Sequence, residues 1–388
     1  MLALLSITQF LGMSLWMGMT AVTPHLRIAW NLDASSTGWL TTATQLGFVA
    51  GTAVFALLNV ADVVPARRLF AFCALAGAGV NGALVMVDDY ASAFGLRFAT
   101  GACLAGVYPP AMKMAATWFF RGRGFAIGIL IGALVLGKAF PYAAREVAGD
   151  RWEMVVLCCS MFAVTAAGLV FAFYRDGPHG FPRRPFSWAL VGSVTRDRPT
   201  RLAIGGYLGH MWELYAMWIW VPPFIAASLA AWRADGHDVP EWTKNALAFL
   251  AIAAGGVGSL WCGRLADRIG RERAVNRALV ASGACCLLAG TVFGASPWLL
   301  ALLIGVWGFF VVADSAQFST LVTEVAPKHA VGTALTLQTS IGFLLTMVTI
   351  QTVPLIEGAA SWRWAFPMLA LGPVFGVWCM RRLEVLRG

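Results

Sequence analysis

About twelve stretches of roughly 20 mostly apolar residues recur along the chain, and their length constrains the fold more than any other feature. Of the 388 residues, 59% are hydrophobic and 12% are charged, whereas a soluble domain is about one quarter charged. In a bilayer the backbone polar groups need internal partners, which a helix supplies. The pattern predicts an all-α membrane protein with about 12 transmembrane helices. The predicted spans are 3–24, 37–60, 69–87, 92–118, 124–144, 152–173, 202–228, 244–263, 275–294, 297–326, 331–354 and 364–380.

The basic residues predict how these helices are oriented. Arginine and lysine are denser in one set of loops, which includes residues 67–68, 264–273 and 381–387, and basic loops favour the cytoplasm. We therefore place both termini in the cytoplasm, in a multi-pass protein of the inner (plasma) membrane. The net charge of +9 then reflects topology and contact with the lipid bilayer, so no nucleic-acid partner is expected.

A change in composition near the middle of the chain predicts two halves. Its prolines and glycines oppose a continuous helix and indicate a surface linker. We assign residues 1–174 to an N-terminal six-helix bundle, 175–200 to a cytoplasmic linker and 201–388 to a pseudo-symmetric C-terminal six-helix bundle. Two such repeats place a substrate site near the midplane between them. The paired landmarks are Pro24 and Pro222, Asp62 and Asp267, Gly124 and Gly332, and Arg151-Trp152 and Arg363-Trp364.

The loop after the eighth span has a distinctive sequence, Gly263-Arg264-Leu265-Ala266-Asp267-Arg268-Ile269-Gly270-Arg271, and an altered copy occupies residues 60–68. This pair resembles the signature loop of the major facilitator superfamily, and the resemblance covers essentially the whole chain. It implies a secondary transporter that works by alternating access. We expect the better-preserved second loop to form the stronger latch, with its aspartate near Gly332. The predicted gating motif comprises Asp62, Arg67, Gly263, Asp267, Arg268, Gly270 and Arg271.

Ionisable residues inside the spans are candidates for proton coupling. Each costs roughly 2.5–3.5 kcal/mol at a helix centre, so such a residue usually faces a cavity or a partner. His210 and Glu213 share one face of span seven, and Asp314 lies deep in span ten. A buried carboxylate near an imidazole can exchange a proton near neutral pH, whereas the alternative is a hydrogen bond that only holds helices in register. Arg97, with Gly101 one turn later, resembles a family motif linked to proton coupling; its alternative is snorkelling to the interface.

Cations in the first half favour an anionic substrate. Lys138 lies deep in span five, and its alternative is a structural ion pair. Lys113 lies near the end of span four, where its long stem could also snorkel to the cytoplasm. The predicted substrate-binding residues are Lys138, Lys113, Tyr108, Tyr207 and Gln317, of which the last lies one turn from Asp314.

Together these residues predict a proton-coupled symporter of a small anionic solute. Residues 105–141 also resemble the bacterial nitrate/nitrite and cyanate transporter branches, but the chain lacks the span-two arginine and span-five glycine–asparagine signature of nitrate carriers. A proton-driven drug or metabolite efflux pump is the first alternative, and a non-transporting membrane scaffold is the second. We expect a monomer without enzyme activity, cofactor or metal, because no catalytic or metal-spaced motif occurs.

Overall fold

The computed structural model describes residues 1–58, 60–119, 123–179 and 188–387, and every regular element in these ranges is a helix. The chain divides into two compact units, 1–186 and 187–388. The helices of the first unit are α1 (Leu2–Ala29), α2 (Ala34–Leu57), α3 (Val60–Val63), α4 (Ala66–Gly82), α5 (Tyr90–Leu104), α6 (Tyr108–Trp118), α7 (Arg123–Ala148) and α8 (Trp152–Phe173). Those of the second are α9 (Trp188–Arg196), α10 (Arg198–Ala234), α11 (Trp242–Ile269), α12 (Arg271–Leu288), α13 (Pro297–Ala313), α14 (Ser315–Val325), α15 (Val331–Ala360), α16 (Trp362–Ala365) and α17 (Leu371–Arg387). Short 3-10 turns occupy Ala83–Met86, Ala289–Val292 and Pro367–Ala370.

The helices account for the predicted membrane spans. In the described part of the chain, ten helical stretches are long and apolar enough to cross a membrane. The predicted fourth span is also helical but is divided between α5 and α6, and the twelfth is the 17-residue helix α17. The predicted all-α membrane architecture is therefore confirmed. Part of the predicted linker is helical as well, because residues 188–196 form α9.

Glycines let the second and fourth spans of each unit pack backbone to backbone. A Cβ atom added at Gly101 of α5 would overlap the carbonyl oxygen of Thr44 in α2. In the second unit, a Cβ atom added at Gly308 of α13 would overlap the carbonyl oxygen of Ala251 in α11. Small residues at such contacts allow close van der Waals packing, which is a main source of helix association in lipid. The fourth span of each unit is thus fixed against its second span.

Two aspartates fix the starts of helices at loops. The Asp33 carboxylate accepts a hydrogen bond of 2.7 Å from the Ser36 backbone N–H and N-caps α2. The Asp89 carboxylate accepts one of 2.9 Å from the Ser92 N–H and N-caps α5. These bonds favour the ionised carboxylates, so the Ser36 contact lowers the pKa of Asp33, and the Ser92 contacts lower the pKa of Asp89. Charged caps therefore define where both helices begin.

Candidate functional site

The fourth span of each unit is interrupted, although the sequence predicted continuous spans at 92–118 and 297–326. In the first unit, residues 105–107 separate α5 from α6, whose second and third residues are Pro109 and Pro110. In the second unit, Asp314 separates α13 from α14, and its carbonyl accepts from the N–H of Gln317, only three residues later. Matching interruptions in the two halves of a transporter mark the neighbourhood of a binding site.

His210 and Asp314 form a buried pair at the second of these breaks. Nδ1 of His210 lies 2.9 Å from Oδ1 of Asp314, and the two side chains are only 2% and 1% exposed. On the other side of the ring, Nε2 lies 2.8 Å from the hydroxyl of Ser315. A hydroxyl can donate or accept, so Ser315 can satisfy Nε2 whether or not that nitrogen carries a proton. The arrangement can therefore accommodate a change in protonation without leaving the ring unpaired.

Glu213 lies one turn further along α10 but contacts different helices. Its Oε1 accepts from the Trp307 indole N–H at 2.5 Å and from the Cys286 thiol at 3.2 Å. Its Oε2 accepts from the Ser282 hydroxyl at 2.9 Å. The carboxyl group is fully buried, so these donors replace the water that it loses. They join α10 to α12 and α13.

Arg97 forms the corresponding junction in the first unit, between its first, third and fourth spans. The guanidinium donates to the carbonyl oxygens of Leu15 and Trp16 in α1, at 3.1 and 2.7 Å. It also donates to Oδ1 of Asn81 in α4 at 3.5 Å, and Nδ2 of the same Asn81 donates to the Ser160 hydroxyl at 3.0 Å. Arg97 is completely buried, so carbonyl and amide dipoles, rather than water, stabilise its charge. The side chain holds α1, α4 and α5 together.

Lys138 lies in α7 beside a row of aromatic rings. Its ammonium is 4.1 Å from the centroid of the Trp16 ring, and the side chain is almost completely buried. The Trp16 ring lies 5.1 Å from Phe48, whose ring is 6.4 Å from that of Tyr108. A cation over an indole face is stabilised by the ring quadrupole, more strongly when water is excluded. The Lys138 amine and flat apolar surfaces are thus combined within one unit.

The remaining predicted substrate residues lie on helices other than that of Lys138. The ring of Tyr207 lies 6.0 Å from that of His210, which follows it by three residues in α10. Lys113 is partly exposed on α6. Gln317 contacts the signature loop, because its Oε1 accepts from Arg271 at 2.7 Å. The structure therefore places Tyr207 with the proton-coupling candidates, and Gln317 with the gating candidates.

The signature-loop arginine joins an ion-pair network at one end of the second unit, which we call the basic end. Arg271 pairs with Glu324 at 2.6 Å, and Glu324 also pairs with Arg387 at 3.1 Å. Arg387 in turn pairs with Glu272 at 2.6 Å. The start of α12, the end of α14 and the end of α17 are thereby linked.

The other gating residues have these positions. Asp267 and Arg268 are exposed in the last turn of α11, and the exposed Gly270, which joins α11 to α12, has a positive φ of 92°. In the first unit, Arg67 donates to the Tyr174 carbonyl oxygen at 3.5 Å. Gly263 lies in α11 near Gln317, while the side chain of Asp62 lies outside the described part of the structure.

Several polar side chains of these networks were not singled out from the sequence. Trp307 and Ser282 bind Glu213, and Asn81 binds Arg97. Asn81 is the one with a detectable signal, since an amide in the middle of a predicted span is costly without a partner. Gln9 was also not singled out, and its buried amide has no hydrogen-bond partner among the described residues. Such an amide is available to a ligand or to water.

Two units of membrane-crossing helices, each with buried charged groups beside a broken fourth span, define a multi-pass membrane transporter. Residues 4–350 match the family model of the Major Facilitator Superfamily, and the chain belongs to this family. The predicted family resemblance is therefore confirmed.

Two relatives illustrate how far the sequence similarity extends. The MFS-type transporter pytF of Aspergillus terreus (strain NIH 2624 / FGSC A1156) is 26% identical over 175 residues, which are 44% of this chain and 55% of that protein. The chain thus matches about half the length of this relative. The Bacillus subtilis (strain 168) protein named "Putative niacin/nicotinamide transporter NiaP" is 22% identical over 319 residues, 76% of this chain and 75% of that protein.

Solved structures show the same fold. The nucleoside transporter NupG superposes with a TM-score of 0.70 at 16% identity, covering 99% of this chain and 98% of that one. A bacterial homolog of the human lysosomal transporter Spinster, in an inward-facing and unoccupied conformation, superposes with a TM-score of 0.69 at 15% identity, covering 99% and 93%. At this identity the likeness concerns the fold alone.

Proposed function

We propose that the protein moves a small anionic solute together with protons across the inner membrane by alternating access, with both termini in the cytoplasm. The observation that carries this proposal is the Lys138 ammonium, which is buried against the Trp16 ring beside Phe48 and Tyr108. A second buried cation, Arg97, lies in the same unit. Ordering an anion near these charges is favourable, because electrostatic attraction is strong where water is excluded.

From the aromatic rings beside Lys138 we infer that the substrate is a small carboxylate with a planar ring. Trp16 and Phe48 are buried in this conformation, so a substrate ring would stack on them, with its carboxylate near the Lys138 ammonium, in a conformation that opens the site. The name of the Bacillus relative refers to niacin and nicotinamide, of which niacin is such a carboxylate in its ionised form. We take nicotinate as the first substrate to test.

Proton coupling rests on two groups of α10 that can change protonation without losing their partners. The Ser315 hydroxyl can satisfy Nε2 of His210 in either state. Glu213 has a similar provision, since the Ser282 hydroxyl lies 2.9 Å from Oε2 and 3.2 Å from the Leu279 carbonyl oxygen. When Glu213 is ionised, Ser282 donates to it; when Glu213 is protonated, Ser282 can accept from it and donate to Leu279 instead. Such switching keeps the cost of a buried protonation change low.

Substrate binding is tested with the purified full chain in liposomes, using labelled nicotinate and an imposed proton gradient. Lys138→Met removes the charge at similar length, and Lys328→Met is the matched control at an exposed position. A charge-assisted contact supports a rise in KM of about tenfold or more in Lys138→Met and little change in the control. Neutral nicotinamide should compete poorly. Equal competition by nicotinamide, together with an unchanged KM in Lys138→Met, would contradict the anion proposal. If nicotinate moved only outward, and only when the proton gradient was reversed, the result would favour the efflux alternative.

A further inference from the structure

A groove of about 750 Å³ runs between α12 and α17 on the surface of the second unit. Its walls include Val280 and Leu287 of α12 and Val374 and Trp378 of α17, whose exposed fractions range from 52% to 68%. Gly283 lies against Pro373 in the wall, where a Cβ atom on the glycine would be 3.0 Å from the proline. The small residue therefore keeps the two helices close and leaves a shallow apolar channel between their outer side chains.

One end of this groove is strongly basic. Arg381 and Arg382 both line it and are exposed, and the Arg382 guanidinium lies 5.8 Å from the centroid of the Trp378 ring. Arg277 is exposed one turn from Val280 on the same helix face. The groove thus combines an apolar floor with a cluster of guanidinium groups at one end.

The two groove arginines of α17 differ from their neighbours in how their charge is balanced. Nearer the end of the helices, Arg273 pairs with Glu384 and Arg387 pairs with Glu272, each at 2.6 Å. Within the described ranges, neither Arg381 nor Arg382 lies within ion-pair distance of a carboxylate. Their charges are available to an external anion.

We propose that this groove binds an anionic phospholipid, with its phosphate on Arg381 and Arg382 and an acyl chain along the apolar floor. Guanidinium groups match phosphate oxygens in geometry and in charge. Both arginines lie five to six residues before Arg387, or about 8 Å along the helix, a depth that suits the boundary between headgroups and acyl chains. A free phosphate ion would use the arginines but gain nothing from Val280, Val374 and the rest of the channel.

The proposal is tested by native mass spectrometry of the full chain in mild detergent with phosphatidylglycerol or phosphatidylcholine added. Arg381→Gln/Arg382→Gln removes the two charges, and Arg196→Gln/Arg201→Gln removes two exposed charges elsewhere. Near an anionic lipid each arginine contributes about fivefold in affinity, so the first variant should lose about 25-fold in phosphatidylglycerol binding and the control should lose little. Ala284→Phe, which fills the groove and keeps every charge, should also weaken binding of this lipid.

Three results would overturn the proposal. Equal losses in the two arginine pairs would show that net charge, and not the groove, attracts the lipid. Unchanged binding in Ala284→Phe would show that no acyl chain occupies the channel. Displacement of phosphatidylglycerol by millimolar inorganic phosphate would assign the arginines to a free ion. Size-exclusion profiles and thermal unfolding of all variants confirm that each remains folded.

Discussion

The indole N–H of Trp307 donates to Oε1 of Glu213 over 2.5 Å, and this bond joins the fourth and first spans of the second unit. An indole N–H can only donate, so it stabilises this oxygen as an acceptor whether or not the other carboxyl oxygen is protonated. In the first unit a group of the opposite charge joins the same two spans, because Arg97 of the fourth span donates to carbonyl groups of the first span. Equivalent junctions thus carry a carboxylate in one unit and a guanidinium in the other.

Trp307→Phe should destabilise the protein by about 1–3 kcal/mol, because it leaves a buried carboxyl oxygen without its strongest donor. Trp298→Phe, on the same helix but 85% exposed, is the control and should be nearly neutral. Thermal unfolding in detergent measures both. Equal effects of the two substitutions would show that the bond to Glu213 is unimportant for stability.

Asp314→Asn and His210→Gln should separate proton coupling from substrate movement. The asparagine keeps the shape of the side chain but cannot ionise, so the proton exchange proposed for the His210–Asp314 pair is no longer available. We expect proton-driven accumulation in liposomes to be abolished, while exchange of internal for external substrate continues. His329→Gln, at an exposed position, should leave both unchanged. Full retention of accumulation in Asp314→Asn and in His210→Gln would rule out this coupling role.

The sequence predicted where the buried ionisable side chains lie along the helices, but it did not predict which side chains they contact. The insertion cost of charge in lipid singled out His210 and Glu213, and helical spacing placed them on one face. It did not indicate that His210 meets Asp314 while Glu213 meets Trp307, since that depends on how α10 packs against α12, α13 and α14. Similarly, Gln317 follows Asp314 by one turn, yet its side chain is bound by Arg271 from a helix distant in sequence. Partners of this kind are set by tertiary packing.

The membrane-crossing pattern was predictable because it depends on composition over about 20 residues, which the bilayer itself selects. The breaks in the fourth spans depend on single residues. Pro109 and Pro110 indicate a kink, but Asp314 has no comparable backbone signal and was predicted only as a buried charge. The close contact at Gly101 was similarly hidden, because a glycine in a span does not identify the helix that approaches it.

Gly101→Ala should strongly destabilise the first unit. The new methyl group would overlap the Thr44 carbonyl of α2, and overpacking of this kind typically costs about 1–3 kcal/mol. Gly95→Ala lies on the same helix with open space around it and should be neutral or slightly stabilising. Unfolding temperatures of the two variants in detergent provide the comparison. Similar values for both would mean that α2 and α5 are not in backbone contact.

Glu324 should contribute more to the free energy of unfolding than an ordinary surface acid does, because two arginines of the basic end share its carboxylate. Its two oxygens pair with Arg271 and Arg387, so Glu324→Gln leaves two neighbouring guanidinium groups without their common anion. Glu241→Gln is the matched control, since Glu241 is 80% exposed and pairs with Arg233. We expect a loss of about 1 kcal/mol for Glu324→Gln at low salt and less for the control, because exposed single pairs contribute little. The loss should shrink as ionic strength rises, since salt screens partly exposed charges. Thermal unfolding at low and high salt measures both effects. Equal losses in the two variants would show that Glu324 acts as an ordinary surface acid and does not link α12, α14 and α17.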